Sequence, residues 1–300
     1  MTVIECNQLT KKYRNQRALH NVSFSIEKNT ITGLIGRNGA GKTTLLKIIA
    51  GFYKQSSGEV RVFGENPFNN LKVSQNMIFI DDQMILPPAL SLSDTLVEAS
   101  DFYPNWDMTL ARRLFDYFSF DPMQYHSKLS KGMKSTFNTI IGLAARTPLT
   151  IFDEPTTGMD AAVRKDFYRA LLKEYLEHPR TIVLSSHLLH EIEDLLEDIL
   201  LIDKGEKKLH MKVDELKQYA IGVSGPFDAI DNWTIDKEIL YKKEVGANGR
   251  YVVVKNDFPD RFLEQAQQMG FQVSAVSAED ICMYVTSKTK GGIDDVFSKC

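Results

Sequence analysis

The chain has 300 residues, enough for one large α/β domain and a smaller appendage, and its 43% hydrophobic and 25% charged residues are ordinary for a soluble globular protein. A formal net charge of −3 and a pI near 6.1 exclude the basic field that gathers nucleic acid or anionic lipid. No run approaches the ~18 consecutive apolar residues of a membrane span, no basic-then-apolar leader follows Met1, and the three scattered cysteines, Cys6, Cys282 and Cys300, form neither a disulfide framework nor a zinc motif.

The opening segment alternates apolar and polar residues at Val3 to Cys6 and Val22 to Ile26, the pattern of antiparallel strands. Ile31 to Ile35 predicts a buried strand. A glycine-rich loop follows, and Leu45, Leu46, Ile48 and Ile49 then recur at helical spacing until Gly51 ends the helix. From about residue 87 to 146 the periodicity is helical, at Leu96 to Phe102, Leu110 to Phe118 and Phe137 to Ala145, which predicts a helical insertion. The α/β rhythm resumes with a strand at Leu149 to Phe152, a helix at Val163 to Leu176 and a strand at Thr181 to Ser185. A further helix is expected at Leu188 to Leu196, then a strand at Ile199 to Ile202 and a turn at Lys204-Gly205.

A second unit is expected after a boundary near Gly222 to Pro226, giving domains 1–220 and 221–300. Its predicted elements are strands at Ile239 to Val245 and Tyr251 to Val254, joined by a hairpin turn Gly246-Ala247-Asn248-Gly249, a helix at Phe258 to Met269 and a strand at Phe271 to Val276.

Gly36-Arg37-Asn38-Gly39-Ala40-Gly41-Lys42-Thr43 matches G-x-x-x-x-G-K-[ST] between a predicted strand and a predicted helix, the context its chemistry needs. Gly36, Gly39 and Gly41 let backbone N–H groups turn toward phosphate oxygens, and the helix start adds partial positive charge. Lys42 is placed to reach the β- and γ-phosphates of ATP, the Thr43 hydroxyl to reach Mg²⁺, and Thr44 to reach the α-phosphate. Downstream, the strand Leu149 to Phe152 ends in Asp153-Glu154. Two acids after a strand are usually a solvated turn, but beside a phosphate loop Asp153 becomes a Mg²⁺ carboxylate and Glu154 a base for the attacking water.

With these motifs in order, residues 1 to about 210 resemble the ATP-binding subunits of ABC transporters. Leu129-Ser130-Lys131-Gly132-Met133 is similar to the family signature LSGGQ, with Lys131 in place of the first glycine and Met133 in place of the glutamine. Gly158-Met159-Asp160 resembles the D-loop and His187 the switch histidine, while Tyr13 stands where the family stacks an aromatic on adenine. Either Asp82 or Gln83 occupies the Q-loop position; Gln83 is favoured because a carboxamide can approach metal-bound water and donate to a neighbour.

The resemblance implies an α/β P-loop ATPase with an antiparallel β subdomain, a helical insertion and a small C-terminal α/β domain. It also implies ATP and Mg²⁺ as cofactors and a homodimer or heterodimer closing on two ATP molecules, with Lys42 and Glu154 from one subunit facing Ser130 of the other, Ser130 and Gly132 approaching the γ-phosphate, and Asp160 among the nucleotide-binding residues. Its partners would be transmembrane permease subunits at the cytoplasmic face of the membrane, and not nucleic acid. Within the family, Tyr103-Pro104-Asn105-Trp106-Asp107, the altered signature and the extra C-terminal unit look most like ATPases of Gram-positive exporters linked to antimicrobial or cytolytic peptides and cell-envelope stress. A soluble ABC-type ATPase acting on nucleic acid or ribosomes, or a non-hydrolysing ATP sensor, is the alternative.

Overall fold

The computed structural model describes residues 1–287 apart from 15, 247 and 260, together with the backbone but not the side chain of 261. Ala247 of the expected hairpin turn and Cys300 lie outside the described residues. The chain forms two compact units, Met1–His210 and Met211–Cys300.

In the first unit, strands β1 (Thr2–Tyr13) and β2 (Gln16–Glu27) pair antiparallel, from Thr2 opposite Glu27 to Tyr13 opposite Gln16. The two short predicted strands are parts of these longer ones. β3 (Ile31–Ile35) is buried along its length and is followed by helix α1 (Lys42–Ile49), after which Gly51 adopts a φ of 77°. β4 (Ser57–Val62) then adds to β1 in the order β2-β1-β4. Next come α2 (Leu71–Ser74) and β5 (Met77–Ile80). Three helices follow within the predicted insertion: α3 (Leu92–Phe102), α4 (Met108–Tyr117) and α5 (Lys131–Ala144). Their starts are chemically defined, because Ser91, Asp107 and Ser130 each accept a backbone N–H from the first turn, satisfying donors the helix cannot.

The α/β part continues through β6 (Leu149–Asp153), α6 (Ala161–Glu177), β7 (Thr181–Ser186), β8 (Asp198–Asp203) and β9 (Glu206–Lys212). The sheet order is β5-β6-β7-β3-β8-β9, and the pairs β5/β6, β6/β7, β7/β3 and β3/β8 are all parallel. Parallel strands covered on both faces need continuous apolar runs, which is how β3, β6 and β7 read. Their carboxyl ends share one edge, where ligands of open α/β sheets bind.

The helix expected at Leu188 to Leu196 is instead two 3₁₀ turns, Leu189–Glu191 and Glu193–Leu195. Leu189 and Ile192 are both buried and three residues apart, a spacing that a three-residue turn satisfies as well as an α-helix does. Ile192 N–H donates to the Leu189 carbonyl and Leu195 N–H to the Ile192 carbonyl, and the chain must enter β8 at Asp198.

The second unit contains α7 (Val213–Lys217), β10 (Ala220–Pro226), α8 (Phe227–Trp233), β11 (Ile239–Val245), β12 (Gly249–Lys255), α9 (Arg261–Gln268), β13 (Gln272–Ala275) and α10 (Ala278–Thr286). Its antiparallel sheet has the order β11-β12-β10-β13 over a core that includes Val223, Ile230, Trp233, Val252, Val254 and Phe271. The boundary expected at Gly222 to Pro226 therefore falls inside β10, which pairs with both β12 and β13, and the chain divides after His210 instead. The glycines of this segment serve packing. A Cβ on Gly222 would lie 2.4 Å from the Tyr251 hydroxyl, and one on Gly225 2.6 Å from the Phe271 ring. No helix among the described residues is long and apolar enough to cross a membrane.

Candidate functional site

The loop between β3 and α1 wraps a cleft of about 560 Å³ lined by Tyr13, Gln16, Arg17, Ala18, residues 37–44, Glu154 and Lys204. Its shape depends on glycine at two crowded places. A Cβ at Gly36 would sit 2.3 Å from the Ile202 carbonyl oxygen, and one at Gly41, whose φ is 107°, 2.6 Å from that of Ala18. Gly41 caps α1 without a side-chain hydrogen bond, and no acidic residue lies in the first turn. The positive end of α1 is thus left for an anion supplied from outside. The loop is pinned behind: Gly205 N–H donates to the Ala40 carbonyl, and His20 N–H to the Gly205 carbonyl.

Lys42 is buried, and its Nζ donates to the Gly36 carbonyl at 2.6 Å. The same ammonium lies 3.0 Å from Glu154 Oε1, close enough to pair charges yet outside hydrogen-bond geometry, so that oxygen has no hydrogen-bond partner in the structure. The other oxygen of Glu154 is 2.8 Å from His187 Nδ1. Glu154 thus stands between two nitrogen groups at the seam of the cleft and a second cavity.

Its backbone is held in a conformation few non-glycine residues adopt, with φ at 49°, at a cost on the order of 1–3 kcal/mol. Three hydrogen bonds fix it. Its N–H donates to Ser185 Oγ at 2.9 Å, and its carbonyl accepts from Thr157 N–H at 3.2 Å and Thr157 Oγ1 at 2.8 Å. Ser185 Oγ in turn donates to Asp153 Oδ1 at 2.7 Å, so one hydroxyl orients both acids. Burial pushes the Asp153 carboxyl above its usual range, an effect that the Ser185 and Thr43 hydroxyls partly oppose.

The second cavity, about 300 Å³, brings Asn38, Thr43, Gln83, Asp153, Glu154 and His187 together with Lys47, Asp81, Asp82 and Thr157. Both Asp82 and Gln83 line it, with Lys131 Nζ 3.0 Å from Asp82 Oδ2.

A third cavity, about 230 Å³, holds Ser130, Gly132 and Asp160 with Phe118, Met133 and Gly158. Ser130 Oγ accepts the Met133 N–H at 3.3 Å, and Asp160 accepts from the N–H groups of Ala162 and Val163. A Cβ on Gly132 would stand 2.2 Å from the Gly158 carbonyl oxygen. This backbone contact, with Ser135 Oγ donating to the Thr157 carbonyl at 2.8 Å, locks the signature turn to the loop after β6.

The residues singled out in the sequence therefore fall into three places. Tyr13 and the glycine-rich loop surround the first cleft; Thr43, Gln83, Asp153, Glu154 and His187 share the second; Ser130, Gly132 and Asp160 share the third, and none of these three cavities contains both Ser130 and Lys42. Tyr13 is half-exposed, meets Tyr53 edge-on and has Lys11 Nζ 5.0 Å from its ring centroid. Sequence reasoning missed Ser185, Arg17, Lys204 and the Lys47–Asp81 pair, whose separation is 3.5 Å. Ser185 carried a signal, since two serines closing an otherwise apolar buried strand need partners. Arg17 opens β2, Lys47 closes α1, and Lys204 and Asp81 lie just past strand ends, all places where polar residues are common.

Residues 19–157 match the family model described as ABC transporter. The chain is 30% identical over 281 residues to the ABC transporter ATP-binding protein YtrB of Bacillus subtilis, covering 93% of this chain and 96% of that one. It is 30% identical over 237 residues to the bacitracin transport ATP-binding protein BcrA of Bacillus licheniformis, 72% of each. It is 27% identical over 225 residues to the SkfA peptide export ATP-binding protein SkfE of Bacillus subtilis, 73% and 93% of the two chains. Among solved structures, an ATP-binding subunit of an ABC transporter aligns with a TM-score of 0.64 at 24% identity, covering 72% of this chain and 92% of that one. The dimeric post-hydrolysis state of the cassette MJ0796 bound to ADP and phosphate aligns at 0.62 and 21% identity, covering 70% and 98%. These last two likenesses establish the fold. With the coverage of its relatives and the phosphate loop in place, the chain belongs to the ATP-binding subunits of ABC transporters and is an ATPase of that family.

Proposed function

We propose that the chain hydrolyses ATP as one half of a dimer and drives separate transmembrane subunits from the cytoplasmic face of the membrane. The observation that carries this reading is Glu154, set between Lys42 and His187 and next to the buried Asp153. In this scheme Tyr13 stacks on adenine, and the backbone N–H groups of Asn38 to Thr44 and the Lys42 ammonium hold the phosphates. Glu154 accepts a proton from the attacking water, and His187 orients Glu154.

The donor set suits a hard divalent cation. Asp153 is a buried carboxylate with hydroxyls at Ser185 and Thr43 and no cation beside it among the described residues. Thr43 and Asp153 would hold Mg²⁺ with Gln83 close by, and the ion would supply Lewis-acid charge to the phosphate oxygens.

The separate cavity around Ser130, Gly132 and Asp160 supports completion of the site by a second copy or a similar chain. The relatives BcrA and SkfE are named for bacitracin transport and SkfA peptide export, which favours a peptide or antimicrobial compound as cargo. The test is Glu154→Gln, which keeps size and hydrogen bonding but cannot take up a proton. Turnover should fall by orders of magnitude while ATP drives a stable dimer on size-exclusion chromatography. Near-normal turnover would remove Glu154 from this role.

A further inference from the structure

The second cavity is lined by four carboxylates, and three of them have a cation partner. Asp81 lies 3.5 Å from Lys47 Nζ, Glu154 3.0 Å from Lys42 Nζ, and Asp82 3.0 Å from Lys131 Nζ. Asp153 is the one without such a partner among the described residues, and it is the one assigned to a metal. Lys131 differs from the other two cations in origin. Lys42 and Lys47 belong to α1, behind the phosphate loop, whereas Lys131 is the first residue of α5 and reaches over from the signature turn.

Its position is otherwise unfavourable. Lys131 and Lys134 put two positive charges in the first turn of a helix with no acidic residue there, against the helix dipole. The Lys131 stem is also packed against Gly158, where a Cβ would find Lys131 Cγ at 3.2 Å. Asp82 is what the ammonium gains. The same helix is tied to the same strand end a second time, because Asn138 Nδ2 donates to the Asp81 carbonyl at 3.2 Å.

We propose that Lys131 is a positioning residue for the nucleotide: its ion pair with Asp82 cancels a carboxylate that would otherwise face the incoming phosphates, and fixes the Asp82-Gln83 segment beside Asp153. The proposal rests on reading this cavity as the phosphate side of the ATP site. It acts within one chain and needs no partner. Both groups are partly exposed, at 61% and 34%, so the pair is screened and its effect is moderate.

The test is a double-mutant cycle read by titrating the full-length chain with MgATP carrying a fluorescent label, at a protein concentration where it is monomeric. Lys131→Ala should weaken binding about threefold to fivefold at low salt, the scale of one exposed charge pair, with the loss shrinking at high salt. Lys131→Arg should bind like the parent. Asp82→Asn placed on Lys131→Ala should restore affinity to within about twofold of the parent, because no charge is then left to cancel. Unchanged affinity in Lys131→Ala overturns the proposal, as does a loss that persists in the double variant, which would mean Lys131 acts on something other than Asp82. Lys42→Ala is the separate control. If it binds as the parent does, the reading of the cavity fails before Lys131 is tested.

Discussion

The phosphate loop and the signature turn both deliver a helix N-terminus flanked by glycine, yet they are finished to different degrees. At the loop, Lys42 is buried and fixed by Gly36 and Glu154, and the strained Glu154 backbone is held by Ser185 and Thr157. At the signature turn, Ser130 is exposed and its hydroxyl is used to cap its own helix. One half of the chemistry is preorganised inside the chain. On the proposed function, the other half is a surface whose ligand comes from a second chain, its shape fixed by the close Gly132–Gly158 contact.

The comparison breaks most sharply with two substitutions. Lys42→Ala deletes a buried charge facing the phosphates and leaves Glu154 without its cation, so nucleotide binding by the isolated chain should fall about a hundredfold or more. Ser130→Arg should leave that binding within about twofold of the parent while abolishing the ATP-driven dimer. Equilibrium titration and size-exclusion chromatography read the two effects. Equal loss of monomer binding in both variants would mean that the signature turn belongs to the same half-site as the loop.

A second prediction concerns what holds the two halves in register. Glu174 on α6 accepts from Arg146 Nε at 2.7 Å and lies 3.4 Å from Arg180 Nη1; both Glu174 and Arg180 are buried. Arg146 also pairs with Asp107, the cap of α4, and Arg180 Nη2 donates to the Leu143 carbonyl near the end of α5. This network attaches the helical insertion to α6 and β7. Burial lowers the Arg180 guanidinium below its usual range, and Glu174 opposes that shift. Glu174→Ala should therefore cost about 3–5 kcal/mol by leaving the buried Arg180 guanidinium without a carboxylate while Arg146 keeps Asp107, read as a lowered Tm. A loss under about 1 kcal/mol would show that the arginines re-pair with carbonyls and water, and that the insertion is held by apolar packing alone.

How much of this could be read from the amino-acid order follows from how local each constraint is. The phosphate loop was legible because its chemistry demands glycines, a lysine and a threonine within one turn, and β3, β6 and β7 because parallel buried strands are apolar throughout. β4 was not, since only Val60 and Val62 of its six residues are buried. β10 escaped notice because Gly222 and Gly225, which admit the rings of Tyr251 and Phe271, interrupt its apolar run. Removal of the second unit should accordingly be made after Lys212, where β9 ends two residues past the division at His210, and not through β10. In the site, Asp153, Glu154 and the loop declared themselves, while Ser185 and the Lys131–Asp82 pair depend on segments brought together only by the sheet and by α5.

The smallest expected effect on soluble ATPase activity is the most informative about coupling. The segment from Gln83 to Trp106 carries Met84, Ile85, Leu86, Leu90, Phe102, Tyr103 and Trp106, more apolar and aromatic surface than a solvated loop needs. In the structure these residues separate into two kinds. Ile85 and Phe102 are 91% and 76% exposed, while Tyr103 and Trp106 are partly buried and stack on each other with ring centroids 6.3 Å apart. Large apolar side chains so exposed gain nothing from the fold of the free chain, and exposed aromatics are favoured interface anchors. Ile85→Glu and Phe102→Glu should leave the Tm within about 1 °C and ATP turnover within about twofold, and should prevent co-purification with the membrane subunits from detergent. Tyr103→Ala and Trp106→Ala should behave differently, lowering the Tm through lost stacking and burial. If Ile85→Glu and Phe102→Glu fold normally and still co-purify, the coupling surface lies away from the phosphate-side edge of the insertion, and the two halves of the site must then be coupled to the membrane by another route.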